Sequence, residues 1–255
     1  MQQYQPIPQE RFHDLVEAVC FGTYGGEELE RYGAIEDWDT SEIDNMSWAF
    51  MGHNTFNGDL SRWNTARVTN MMDMFHGAWV FNGDISGWDV GQVTDMNGMF
   101  NNARAFNQPL EAWNVGRVTN MSHMFADAHA FNRPLEAWNV SHVTNMRGMF
   151  HDAMRFNQSL EGWNVWQVTD MAEMFYAADV FNQPLERWNV GNVQQMSGMF
   201  AHTRDFNQPL EGWNVSRGTN MDRMFAASHA FNQPLGKWGV IRARHMFANA
   251  RSYIS

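Results

Sequence analysis

Phe106-Asn107-Gln108-Pro109-Leu110-Glu111-Ala112-Trp113-Asn114-Val115-Gly116-Arg117-Val118-Thr119-Asn120-Met121-Ser122-His123-Met124-Phe125 decides the fold, because most of the remaining chain restates it. Trp38, Trp63, Trp88, Trp113, Trp138, Trp163, Trp188, Trp213 and Trp238 stand 25 residues apart, and Phe56 to Phe231 recurs at the same interval. A fixed period of about 20 to 50 residues marks a repeat architecture, in which each unit buries its apolar face only against its neighbours. The 255 residues therefore read as one domain, an arm and capping segment over 1–33 followed by an array over 34–255.

Each unit carries the pattern Leu-x-x-Trp-x-Val-x-x-Val-x-x-Met. Trp113 and Val115, two apart, share one side of an extended backbone, which predicts a short strand. Val118, Met121, Met124, Phe125 and Ala128 fall at three- and four-residue intervals, which predicts a short helix with Thr119 or Asn120 at its N-cap. Phe131-Asn132-Arg133-Pro134 then turns the chain back. The expectation is an α/β solenoid, a right-handed coil of about nine 25-residue repeats with a parallel-sheet face and a short-helix face. Before it, Met1 to Gln9 reads as an extended arm. Phe12, Leu15, Val16 and Val19 predict a capping helix over Arg11–Phe21, and Gly22, Gly25, Gly26 and Gly33 read as a connector. Gly218 breaks the second Val column, and the ninth unit is irregular, with Met246 eight residues after Trp238.

The wording Trp-Asn-Val-x-x-Val-Thr-Asn-Met-x-x-Met-Phe-x-x-Ala-x-x-Phe-Asn-Gln-Pro-Leu, from about Ile35 to Ala250, resembles the BspA-like leucine-rich-repeat family of mycoplasma and other bacterial surface proteins. The resemblance implies a leucine-rich-repeat-like fold and a role in adhesion or protein contact, with relatives in protists and large DNA viruses.

Composition narrows the function. Net charge is -11, from 28 acidic against 17 basic residues, and the arginines are scattered through different columns. That argues against nucleic acid, whose affinity rests on clustered cations. No segment approaches 18 consecutive apolar residues, so membrane insertion is not expected. The first residues lack the basic start and apolar run of a secretory signal, which predicts an intracellular or virion location, with surface display only through an anchoring partner. Cys20 has no intramolecular disulfide partner and reads as a small buried hydrophobe.

The repeated columns read as structure before function. The Trp and Met columns are in phase with Leu, Val and Phe and are assigned to the core rather than to sugar platforms or a thioether metal site. Asn57, Asn82, Asn107, Asn132, Asn157, Asn182, Asn207 and Asn232 read as a ladder bonding backbone within the turns, with Asn157-Gln158-Ser159 a structural column rather than a glycosylation site. Glu111, Glu136, Glu161, Glu186 and Glu211 form a row read as a solvated ridge, or else as a strip for a cation or a basic partner. Thr69, Thr94, Thr119, Thr144 and Thr169 belong near a helix start rather than to an ice-binding ladder. The ten histidines share no column at ligand spacing, so no metal site is assigned. There is no Gly-rich phosphate loop and no nucleophile elbow. Hence no cofactor, no catalytic residue and no enzyme activity are expected.

Departures from the repeat carry the candidate site. Trp166 occupies a column otherwise held by Ser41, Ala66, Gly91, Gly116, Ser141, Gly191 and Ser216, and strand alternation points it outward. Asn139, Ser141, Asn164 and Asn189 surround it as a platform of small residues, with Glu161 and Glu186 supplying charge at the edge. Trp48 and Trp79 are also out of phase and are placed over core. The expected function is non-catalytic protein binding, as an adhesion-like or scaffold module contacting another protein or its own copies. A structural subunit of a virion or intracellular assembly, and a carbohydrate-binding lectin, are the alternatives.

Overall fold

The computed structural model describes residues 4–215, 219–238 and 243–250; Ser216, Gly218 and the end of the ninth unit at Ser255 lie outside them. One buried cluster runs from Ile7 to Met246. In it Trp63, Trp88, Trp113 and their equivalents are almost wholly buried, as are the paired Met and Phe columns. Consecutive indoles stack with ring planes within 8° and centroids 6.0 to 6.5 Å apart, as in the pairs Trp38–Trp63 and Trp188–Trp213. From Trp63 to Trp238 each indole Nε1 donates to a carbonyl of the preceding unit, Trp113 to Ile85 at 3.1 Å and Trp163 to Leu135 at 2.9 Å. The indole thus buries its apolar body without orphaning its one polar atom.

The α/β solenoid expectation is overturned. Among the described residues there is no strand and no sheet, and α-helix is confined to α1 (Gln9–Cys20) and α2 (Glu27–Tyr32), with single 3-10 turns at Ile35–Asp37 and Gly236–Trp238. The leucine-rich-repeat-like coil with a parallel-sheet face and a short-helix face does not form, and most of the chain is turns and irregular backbone. Around Trp113–Val115 the backbone bonds are local rather than sideways. Trp113 N bonds Leu110 O, Val118 N bonds Val115 O, and the Asn114 side chain takes the Gly116 amide at 3.2 Å. Asn and Asp side chains compete with ladders in this way.

The predicted helix fails for a different reason. Met121, His123, Phe125 and Asp127 donate not to their own turn but to Asn145, Arg147, Met149 and His151 of the next unit, at 2.7 to 3.0 Å. Presenting alternate amides along the stack requires left-handed residues two turns apart, and His123 and Asp127 both lie at φ 54°. The same two columns hold Gly98 and Asn102, Gly148 and Asp152, and Glu173 and Ala177. Gly, Asn, Asp and His adopt this region most readily, and another residue there costs about 1 to 2 kcal/mol. At Gly148 a side chain is disfavoured twice over, by φ 57° and by the His123 ring, which lies 2.5 Å from where a Cβ would stand. Among the described residues parallel pairing survives only as one-residue bridges, Pro6 to Asp39, and Asn45 to Asn70 and onward through Asp95, Asn120, Asn145, Asp170 and Gln195 to Asn220.

The Asn column does form a ladder. Asn107 Oδ1 accepts from the Asn132 amide at 3.0 Å, and Asn182 Oδ1 from the Asn207 amide at 2.9 Å. The Gln beside it adds a second tie, Gln208 Nε2 donating to Asn182 O and Oδ1, each at 3.0 Å. The residues are half-buried.

At the front of the array α1 buries Phe12, Leu15 and Val16, and Phe12 meets Trp63 edge-on at 5.6 Å. Its polar side chains stand in for a missing unit. Gln9 Oε1 accepts from the Asp44 and Asn45 amides at 3.0 and 3.1 Å, while Gln9 Nε2 donates to Asn45 O at 2.9 Å. His13 Nε2 lies 2.8 Å from Ser47 O. These are the groups that later units pair with backbone. Ahead of α1, Ile7 N bonds Asp39 O. The stretch read as connector contains α2, whose ends are the glycines Gly26 and Gly33.

Two stability predictions follow from these ties. Gln9→Ala leaves part-buried backbone groups of the first unit unpaired and should cost about 1 to 3 kcal/mol in urea unfolding, whereas Gln5→Ala should stay within about 0.5 kcal/mol. Asn182→Ala should cost about 1 to 3 kcal/mol, against about 0.5 kcal/mol or less for the exposed Asn192→Ala; equal shifts in Tm would show that the Asn ladder is not a structural tie.

Candidate functional site

Trp166 is 49% exposed, as its position in the pattern predicts. Its amide donates to Asn164 Oδ1 at 3.3 Å, and its carbonyl accepts from Asn192 Nδ2 of the next unit at 2.9 Å. The ring leans forward over Gly191, where an added Cβ would lie 3.8 Å from Trp166 Cζ3.

The Asn residues around it hold the surface rather than simply lining it. Asn139 Oδ1 accepts from the Ser141 amide at 3.2 Å, and Asn189 Oδ1 from the Gly191 amide at 3.3 Å, repeating the Asn164 turn. Each oxygen accepts one amide of its own turn, which leaves a second lone pair and the NH2 group to offer a partner. The outward direction of Trp166 comes from this turn and not from strand alternation.

The Glu row is more heavily tied than a free ridge. Glu161 Oε1 pairs with Arg187 Nε at 3.1 Å, Glu211 pairs with Lys237 at 3.5 Å, and Glu136 accepts from Ser159 Oγ at 3.1 Å. Glu161 thus reaches the edge of the Trp166 face already neutralised. Glu186 is exposed and lays its stem along Gly212. The row brings no three ligand atoms together for a cation among the described residues.

Two aromatics were misplaced by pattern alone. Trp48 is 53% exposed and Trp79 is 43% exposed, not covering core. Trp79 lies under the Arg104 guanidinium at 4.9 Å and, with Met51, Gly52, His76, Gly77 and Asn102, lines a shallow hollow. The available signal was the company Trp79 keeps: its column otherwise holds Asn54, Arg104, His129, Met154, Asp179, Arg204 and His229, mostly surface residues. Trp48 takes a left-handed column at φ 61°, which turns its side chain away from the stack.

Cys20, at the end of α1, is half-buried, and burial first, then the Glu17 carboxylate, pushes its thiol up to about 12. The thiolate is the reactive form, so alkylation of the native chain by iodoacetamide at pH 8 should be much slower than of the urea-unfolded chain. Equal rates would contradict the buried setting.

No helix among the described residues is long and apolar enough to cross a membrane. The family model described as "Mycoplasma protein of unknown function, DUF285" matches the chain over residues 22–133, 107–202 and 160–255. The spans overlap because every 25-residue unit reads alike. This match supports a mycoplasma-type repeat protein and does not carry the BspA leucine-rich-repeat name. Comparison with the curated proteins finds no match.

Proposed function

The chain belongs to this mycoplasma repeat family of unknown function, and from that premise we propose that it is a non-catalytic module that binds another protein on the face around Trp166. The observation that carries the reading is one large, half-exposed indole standing on a surface otherwise built of Asn, Ser and Gly. Such a surface lets a partner backbone approach closely while the indole supplies the contact area. Tryptophan is enriched among residues that dominate interfaces, and its truncation commonly costs about 2 kcal/mol or more, about thirtyfold in affinity. The turns through Asn139, Asn164 and Asn189 hold this surface before binding, so little ordering entropy is lost on association.

Trp166→Ala removes a side chain that contributes little to the core, so Tm should stay nearly unchanged. Capture of a partner from native material, identified and then titrated with the purified chain, should weaken about thirtyfold or more. A variant that retains full affinity for every captured partner would move the working surface away from this face.

A further inference from the structure

We propose that Asp127, His129 and Asp152 form a binding site for one divalent transition-metal ion of the zinc class. The three offer one ligand atom each, an imidazole nitrogen and two carboxylate oxygens, all within 4.8 Å of one another and all half-buried. The site is made by two successive units. Asp127 and Asp152 occupy the same left-handed column, at φ 54° and 52°. Their backbones are pinned, Asp127 N to His151 O and Asp152 N to Tyr176 O, each at 2.7 Å. His129 N bonds back to Asp127 O at 3.0 Å, a tight turn that brings the imidazole to the carboxylate of the following unit, Nε2 lying 3.5 Å from Asp152 Oδ2.

A second observation points to a ligand. His129 Nε2 is shielded from solvent, and Asp152 Oδ2, at 3.5 Å, meets it as an ion pair without the geometry of a full hydrogen bond. A neighbouring unit deals with the same place differently. One unit earlier the same two columns hold Asn102 and Arg104, and Arg104 Nε donates to Asn102 Oδ1 at 2.9 Å. Among the described residues no lysine or arginine pairs with Asp127 or Asp152. Two carboxylates therefore face one imidazole where an adjoining unit places a cation.

The ligand set selects the ion. One imidazole and two carboxylates suit zinc and its neighbours, whereas calcium takes about six to eight oxygens. Tetrahedral bonds of about 2.1 Å set ligands about 3.4 Å apart; His129 Nε2 and Asp152 Oδ2 already stand at 3.5 Å, and the wider separations, within 4.8 Å, would close on binding. Water or a partner's side chain completes the fourth position. Reading single columns missed the site because its ligands come from two columns and two units.

The full chain, stripped with EDTA and dialysed, is titrated with zinc chloride by calorimetry and by thermal unfolding. The wild type should take up one ion per chain with a rise in Tm. Asp152→Asn removes a charge yet keeps a residue suited to the left-handed backbone. Metal-free, it should melt no lower than wild type, and with zinc it should lose the rise and at least about tenfold in affinity. His129→Ala should lose the same, while the exposed His142→Ala should match wild type. No uptake by the wild type, or uptake unchanged in Asp152→Asn and His129→Ala, overturns the assignment and leaves His129 and Asp152 as a plain ion pair.

Discussion

The structure depends on where a handful of backbone amides point. Met121, His123, Phe125 and Asp127 donate forward to the next unit, and every other regularity follows. To aim alternate amides along the stack the chain must alternate handedness, which excludes a helix. It also places left-handed residues at two fixed columns, many of which are Gly, Asn, Asp or His. Two such residues per unit cost about 2 to 4 kcal/mol when neither is glycine. Four forward bonds at about 1 kcal/mol each roughly offset that. The surplus comes from burial: Trp, Met and Phe side chains contribute about 2 kcal/mol or more apiece when removed from water, and stacked rings such as Phe100 and Phe106, with centroids 4.0 Å apart, add packing beyond area.

Because the ladder runs between units, a unit without a neighbour would leave these groups unpaired. The N-terminal end is closed by side chains rather than backbone. A single glutamine amide, Gln9, has the acceptor and the donor needed to stand in for the two backbone groups that a preceding unit would present, and α1 sets it in place while burying Phe12 against Trp63. Capping and core formation are thus one event at this end of the chain.

Regularity also decides where function can reside. A column repeated in every unit is spent on the stack, as the Asn ladder and the turns of Asn139, Asn164 and Asn189 illustrate. Singular residues are free of that duty. Trp166 rises over Gly191, and Asp127, His129 and Asp152 meet where two units join. Asp127 and Asp152 sit on backbone held by the forward bonds, and Trp166 on a turn held by the Asn164 and Asn192 side chains.

The amino-acid sequence by itself determined the 25-residue period, the Trp, Val, Met and Phe core, the helix under Phe12, Leu15 and Val16, the Asn ladder, and the exposure of Trp166. These are statements about which side chains leave water, and apolar spacing reports them directly. Only the tertiary structure decided that Trp113–Val115 is not a strand and that Val118–Ala128 is not a helix. Spacing does not say which carbonyl an amide will find, and here the acceptors lie in the following unit. The Gly, Asn, Asp and His of the two left-handed columns were a visible signal of that choice, one that apolar periodicity passes over. Tertiary structure alone likewise exposed Trp48 and Trp79 and brought His129 to Asp152, because the direction of a side chain after a left-handed residue is set by the backbone and not by its place in a repeat.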